Sequence, residues 1–371
     1  MSSTSPPPLY TLITNTRTAS NLAVKILNPT AQPSVHPAKL LGGYYFFPAL
    51  MKANSIDVRG KPVSLWTASE HTQMASIYQS CFDSFVAYHA DATAAGKHAF
   101  AKEHANFFFG PTSIAEIVSP GVEEEGKWMM KFQDGREGTR SSLNETVMPD
   151  EFLNVISPVF LIRHPALSFP SFERQMRGMP YEIVKSVQVE RRIAMTYKFT
   201  RSLFAYFTAR FEKHPAADGV KWPLVIDADD LIQHEELVVE VGELMGMGRE
   251  KMRFTWEKAT QEYLDGLPTP MLSMLGTLHA STGIQTDKLS KGIDIDVEAK
   301  KWKVEFGEEA GKEIEELVRV AMPDYEFLKG RRMLPKAQMN GQEKKDPYSG
   351  YYGDNTTCFS QEVIDDMEQR S

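Results

Sequence analysis

Apolar positions fall along the chain in two alternating patterns. Leu9 to Thr14 (LYTLIT) is a short β-type run, and Leu22, Ala23, Ile26 and Leu27 follow it at helical spacing. Val159 to Ile162 (VFLI) is a continuous apolar run, as expected of a strand buried on both faces, with Pro158 at its first position. Leu224 to Ile226 (LVI) reads as a third such strand, followed by Leu237, Val241, Leu244 and Met245 at helical spacing. A last helix reads from Ile314, Leu317, Val318 and Ala321, with Pro323 as its stop. Strand followed by helix, several times over, predicts an α/β class: one three-layer domain with a mostly parallel central sheet and helices on both faces. Sheets of this kind bind ligands at the carboxyl ends of their strands, so the chemistry is to be sought there.

The two ends read differently from the body. Residues 1–8 are rich in Ser and Pro and predict a loose N-terminus. Residues 9–330 carry the α/β pattern. Residues 331–371 turn polar and lose their apolar periodicity, which predicts an extended or disordered tail; Tyr348, Tyr351, Tyr352 and Phe359 are its docking candidates. Composition narrows the function classes. The chain has 371 residues, 42% apolar and 24% charged, within the range of globular proteins. With 41 basic against 49 acidic residues its net charge is −8, which argues against nucleic acid as a partner. No apolar run approaches the roughly 20 residues of a membrane span, and the first residues lack a signal-peptide pattern. Cys81 and Cys358 form no CxxC pair, so a disulfide scaffold and a cysteine zinc site are excluded and a reducing, cytoplasmic setting is expected.

Two strand ends offer anion sites. After LYTLIT comes Asn15-Thr16-Arg17-Thr18-Ala19-Ser20-Asn21, then the first helix. A basic side chain, three hydroxyls and a helix N-terminus meet there, a setting that suits an anion. The Walker A pattern GxxxxGK[ST] is absent. A plain strand-to-helix turn with Ser20 or Thr18 as N-cap accounts for the same residues. The other strand, VFLI, runs into Arg163-His164-Pro165, with Ser171 eight residues after Arg163. An Arg at the end of a buried strand is costly unless it meets an anion.

In this order, the two sites resemble those of the 3′-phosphoadenosine 5′-phosphosulfate (PAPS) sulfotransferases. The loop after LYTLIT is similar to their 5′-phosphosulfate loop, [Lys/Arg]-[Ser/Thr]-Gly-[Ser/Thr]-[Thr/Ser], with Arg17, Thr18, Ala19, Ser20 and Asn21 in those positions. The end of VFLI resembles their 3′-phosphate motif, matched by Arg163 and Ser171. Val225 to Leu231, with its acids Asp227, Asp229 and Asp230, and the helix of Leu237 to Met247 resemble a further family segment. The resemblance spans roughly residues 9–330 and implies the P-loop NTPase-like sulfotransferase fold, PAPS as donor and no metal. Three departures stand out. Ala19 replaces a Gly, Asn21 replaces a hydroxyl residue, and the closing segment Arg-Lys-Gly-x-x-Gly-Asp-Trp is matched only by Lys291 and Gly292. There the Arg is missing, Asp294 and Asp296 are added, and Trp302 follows after a gap five residues longer.

Between the motifs lies Phe100-Ala101-Lys102-Glu103-His104. On a strand, Lys102 and His104 face the same side. The resemblance implies a Lys-x-His pair with His104 as the base on the acceptor hydroxyl; Lys102 and Arg17 would stabilise charge on the leaving group. His98 and His164 compete for the role of base. Tyr44 to Phe47, Phe107 to Phe109 and Trp128 to Met130 are candidate walls for an apolar or phenolic small-molecule acceptor, although core packing accounts for most such residues. Glu123 to Glu125 reads as a solvated loop, and the sequons at Asn144 and Asn355 carry no meaning in a cytoplasmic protein. Other readings change the chemistry: an organic diphosphate substrate such as an isoprenoid diphosphate, with magnesium on Asp227, Asp229 and Asp230; a non-catalytic nucleotide-binding protein; or a P-loop kinase.

Overall fold

The computed structural model describes residues 7–38, 42–121, 126, 128–267 and 269–335. Residues 1–6, Glu123 to Glu125 and residues 336–371 lie outside this set, and with them Asn355, Cys358 and the tail aromatics. Among the described residues, no helix is long and apolar enough to cross a membrane.

Among the described residues, four strands form the central sheet: β1 (Leu9–Thr14), β2 (Ala99–His104), β3 (Ile156–Ile162) and β4 (Leu224–Asp227), in the order β2-β1-β3-β4. Every neighbouring pair is parallel. All positions of β1, β3 and β4 are buried. Successive side chains point to opposite faces, so helices must cover both faces of the sheet. The fold is therefore of the expected α/β class, with helices flanking a parallel sheet.

Two elements differ from their expected bounds. β3 begins at Ile156, so Pro158 lies inside the strand. Pairing with β4 starts at Val159, and on that side Pro158 has no ladder partner to lose. The last helix, Glu308–Lys329, runs through Pro323 instead of stopping there. An internal proline costs about 3 kcal/mol. The apolar stripe continues past it, and fully burying Tyr325 and Leu328 returns roughly 1.5–3 kcal/mol for each large apolar side chain. Tyr325 also donates its hydroxyl to Asp227 at 2.8 Å.

The described residues after Gly330 join the body. The Met333 N–H donates to the Val225 carbonyl at 2.9 Å, the Met333 side chain is buried, and Arg332 pairs with Asp230 at 2.6 Å. A chain ending at Gly330 should therefore be less stable than one ending at Pro335 by about 2–4 kcal/mol, the sum of one buried methionine and one or two hydrogen bonds. Urea unfolding of the two truncated chains measures this, and equal midpoints would show that residues 331–335 do not stabilise the sheet edge.

Candidate active site

Parallel register sets the site. Thr14 lies opposite His104 on one side and Leu161 on the other, and Ile162 lies opposite Asp227, so the carboxyl ends of all four strands meet. The loop after β1 turns sharply there. Arg17 and Ala19 both adopt left-handed backbone, at φ 60° and 64°. Ala19 thus takes the conformation for which a glycine is the usual choice. The turn is pinned from within. Asn15 Oδ1 accepts the Thr16 N–H at 2.8 Å, Asn15 Nδ2 donates to Thr196 O at 2.6 Å, and Thr18 Oγ1 donates to Asn15 O at 2.9 Å. Thr18 is buried in that role and does not cap the helix. The N-cap of the helix Ser20–Leu27 is Ala19, so no side chain caps it. Its first N–H groups and its positive dipole end are left for an anion. This disagrees with the plain capped turn.

Three cations surround that helix end. Arg17 Nε donates to Ser171 Oγ at 3.0 Å, and one of its Nη atoms donates to Met274 O at 3.1 Å. Arg163 donates through Nη1 to Arg17 O at 3.3 Å and through Nη2 to Lys288 O at 2.9 Å, while its buried Nε has no partner. The backbone of Arg163 is fixed by Tyr197, whose hydroxyl accepts its N–H at 2.9 Å and donates to its carbonyl at 2.6 Å. Lys102, buried on β2, donates to Asn21 Oδ1 at 2.5 Å and lies 4.5 Å from the centre of the Tyr44 ring. All of these hydrogen-bond partners are neutral, and among the described residues none of the three cations forms a salt bridge. Burial pushes all three pKa values down: Lys102 falls to about 8, and Arg17 is lowered further by Arg163.

His104 stands beside Lys102, as the strand alternation requires. Its Nδ1 is 2.7 Å from Thr14 Oγ1 and its Nε2 is 3.3 Å from the Tyr44 hydroxyl. Thr14 gives its own hydroxyl proton to the Glu103 carbonyl, so it accepts from His104 Nδ1–H. Nε2 is then the basic nitrogen, and it faces Tyr44. Burial first and Lys102 second hold the imidazole pKa down to about 3, so the ring is neutral. The intervening Glu103 points to the other side of the strand and is fully buried. Its Oε1 accepts the Phe46 N–H at 3.0 Å, and burial raises its pKa well above the ordinary carboxyl range.

Other sequence-predicted residues take different places. Lys291 and Gly292 are exposed, and the closing segment reaches the site through its neighbours Lys288 and Ser290. The two added acids do not face the cations: Asp294 caps the helix Ile295–Phe306, and Asp296 pairs with Arg319. Asp227 caps the helix Ala228–Gln233 and accepts from Tyr325; Asp229 accepts from Ser290 N–H and Oγ; Asp230 pairs with Arg332. These carboxylates are engaged one by one rather than gathered for magnesium. His164 Nδ1 accepts the Ala166 N–H as a helix cap, and His98 precedes β2 at the far end of the sheet. Of the candidate acceptor walls, Tyr45, Phe46, Phe108 and Phe109 are core. The half-buried Tyr44 and Phe47 form one ring cluster around His104 with the core residue Phe107, with centroids 5.1–6.3 Å apart. Thr14, Glu103 and Tyr197 have site roles that sequence reading missed. For Glu103 a signal existed: a lone acid inside a buried strand.

No family model matches the chain. The sulfotransferase ppzF of Metarhizium majus is 38% identical over 335 residues, 89% of this chain and 98% of that protein. The sulfotransferase ppzF of Metarhizium rileyi is 37% identical over 330 residues, 88% of this chain and 96% of that protein. Among solved structures, the sulfotransferase domain from the olefin synthase of Synechococcus PCC 7002 covers 79% of this chain and 90% of its own, at 14% identity and a TM-score of 0.36. The two Metarhizium relatives share more than a third of their residues with this chain over nearly the whole length of each protein, and on that ground the chain belongs to the sulfotransferase family.

Proposed function

We propose that this enzyme moves a sulfuryl group from PAPS to the hydroxyl of an apolar or phenolic small molecule. One observation carries the reading: Arg17, Lys102 and Arg163 crowd an uncapped helix N-terminus, and all their hydrogen bonds go to neutral groups. Buried charge of one sign calls for an anion of the other. PAPS supplies the transferable sulfuryl group and two phosphate positions. Arg163 and Ser171 fit the 3′-phosphate, and the loop Arg17 to Asn21 fits the 5′-phosphosulfate. Lys102 and Arg17 hold charge that develops on the leaving nucleotide. His104 Nε2 holds the proton lost by the acceptor. The rings of Tyr44, Phe47 and Phe107 favour an apolar or aromatic acceptor.

Adenosine 3′,5′-bisphosphate should stabilise the protein by about 2.7 kcal/mol at 100 times its Kd, and Arg163→Ala should abolish the effect. Thermal melting with and without the nucleotide reads both. An unmoved wild-type melting temperature would remove PAPS from the reading.

The two lowered pKa values set a pH profile. His104 acts when neutral, and with a pKa of about 3 it is neutral throughout the usual assay range. Lys102 acts as the ammonium, which is present below its pKa of about 8 and lost as pH rises through it. Thus kcat/KM should lack the acid limb near 6.5 of an ordinary imidazole and fall above about pH 8. His104→Ala should lower kcat by about 10²–10⁴ while keeping the bisphosphate shift. A rate profile of wild type and this variant tests the assignment; near-normal kcat in His104→Ala refutes it.

A further inference from the structure

The basic nitrogen of His104 is already engaged. The Tyr44 hydroxyl sits 3.3 Å from Nε2, between the imidazole and the loop where the donor is proposed to bind. Ser20, the first residue of that loop's helix, has its side chain beside the same hydroxyl. One tautomer of His104 satisfies every contact in the chain. Thr14 donates to Glu103 O and so accepts from Nδ1, which leaves Nε2 as an acceptor and Tyr44 as its donor. An acceptor hydroxyl can reach this base only if Tyr44 leaves or if Tyr44 forms the link.

Tyr44 is held too firmly to leave at small cost. Its ring lies on the Lys102 ammonium and touches His104, Phe47 and Phe107. The next residues are clamped from below, because the buried Glu103 carboxyl accepts the Phe46 N–H at 3.0 Å. The preceding residue is clamped as well. Gly43, at φ 115°, lies so close to β2 that an added Cβ would stand 2.7 Å from Ala101 Cα and from Lys102 N. A tyrosine fixed on both sides of its backbone, with its hydroxyl on His104 Nε2 and beside Ser20, is built to pass a proton.

We propose that Tyr44 is a catalytic residue that relays the acceptor's proton to His104; this rests on the sulfotransfer reading above. As the acceptor oxygen bonds to sulfur, the bond from sulfur to the donor's bridging oxygen breaks, and that electron pair leaves with the nucleotide bisphosphate. The acceptor's proton passes to Tyr44 Oη while the proton already on Oη passes to His104 Nε2. Tyr44 begins and ends neutral. Burial opposes a free tyrosinate here, which suits a relay in which both protons move together.

The test compares wild type with Tyr44→Phe in single-turnover transfer from PAPS, with the bisphosphate thermal shift as a control on donor binding. The relay predicts a rate loss of more than about tenfold, an unchanged thermal shift, and a wild-type proton inventory in mixed H2O and D2O that curves because two protons move. A smaller loss, a faster variant or a linear wild-type inventory overturns it; a faster variant would mean that Tyr44 obstructs the base. Should Tyr44→Phe fail to fold, 3,5-difluorotyrosine at position 44 keeps ring and hydroxyl but acidifies the phenol, and an unchanged rate then overturns the relay. Absence of wild-type transfer from PAPS removes the donor reading and the relay with it, whereas wild-type transfer with an unimpaired Tyr44→Phe removes the relay alone.

Discussion

Buried positive charge whose hydrogen bonds all go to neutral groups is the constraint that organises this protein. Lys102 is held by an amide oxygen and an aromatic face, Arg17 by a hydroxyl and a carbonyl, and Arg163 by two carbonyls. Neutral partners fix a cation's position without cancelling its charge. Of the nearby acids, Asp229 and Asp227 act on Arg163 through their charge but make no hydrogen bond to it. Asp227, Asp229 and Asp230 are engaged by Tyr325, Ser290 and Arg332, and Asp294 and Asp296 serve the helix Ile295–Phe306 and its neighbour. Any of these carboxylates placed between Arg17 and Arg163 would repel a phosphate and neutralise the site from within.

The sheet delivers this charge through two simple periodicities. Parallel register aligns Thr14 with His104, so a residue of β1 can hold the imidazole of β2 in one tautomer. Two-residue alternation along β2 puts Lys102 and His104 on the site side and Glu103 on the other. Glu103 could not sit among the cations without spoiling them. Buried behind the strand, where desolvation pushes its pKa well up, it becomes a hydrogen-bonding clamp for the segment that carries Tyr44. One strand thus supplies the proposed base, a cation and the support of a third residue of the candidate site.

Legibility in the sequence followed the range of the interaction. The strands at Leu9, Val159 and Leu224 could be read because continuous burial writes itself as continuous apolar runs. The motif around Arg17 and the Lys-x-His pair could be read because their residues are adjacent in the chain. Pro323 misled because its local cost is plain in the sequence, whereas the burial of Tyr325 and Leu328 that outweighs it is tertiary. The contact of Tyr44 with His104 joins residues 60 apart, and that of Thr14 with His104 joins residues 90 apart. Neither has a local signature. The YYFF run shows why: Tyr45 and Phe46 are core, Tyr44 and Phe47 line the site, and composition alone assigns all four to either role.

Ala19, standing where a glycine would be expected, belongs to a loop whose strain is tied to its charge. Left-handed backbone costs a non-glycine residue about 1–2 kcal/mol, and the loop contains two such residues, Arg17 and Ala19. The turn is over-determined by its neighbours. Thr18 and Asn15 tie it internally, Ala23 N–H donates to Ala19 O at 3.0 Å, and Arg163 reaches the Arg17 carbonyl. That last bond gives the strain its meaning. The conformation of Arg17 presents its carbonyl to Arg163 while its side chain reaches Ser171, so one residue bridges the two proposed phosphate sites. A relaxed loop with negative φ at Arg17 would turn that carbonyl elsewhere and release Arg163 from the loop. The local strain at Arg17 is therefore coupled to the spacing of the two guanidinium groups, and that spacing is what a ligand with two phosphate positions would recognise.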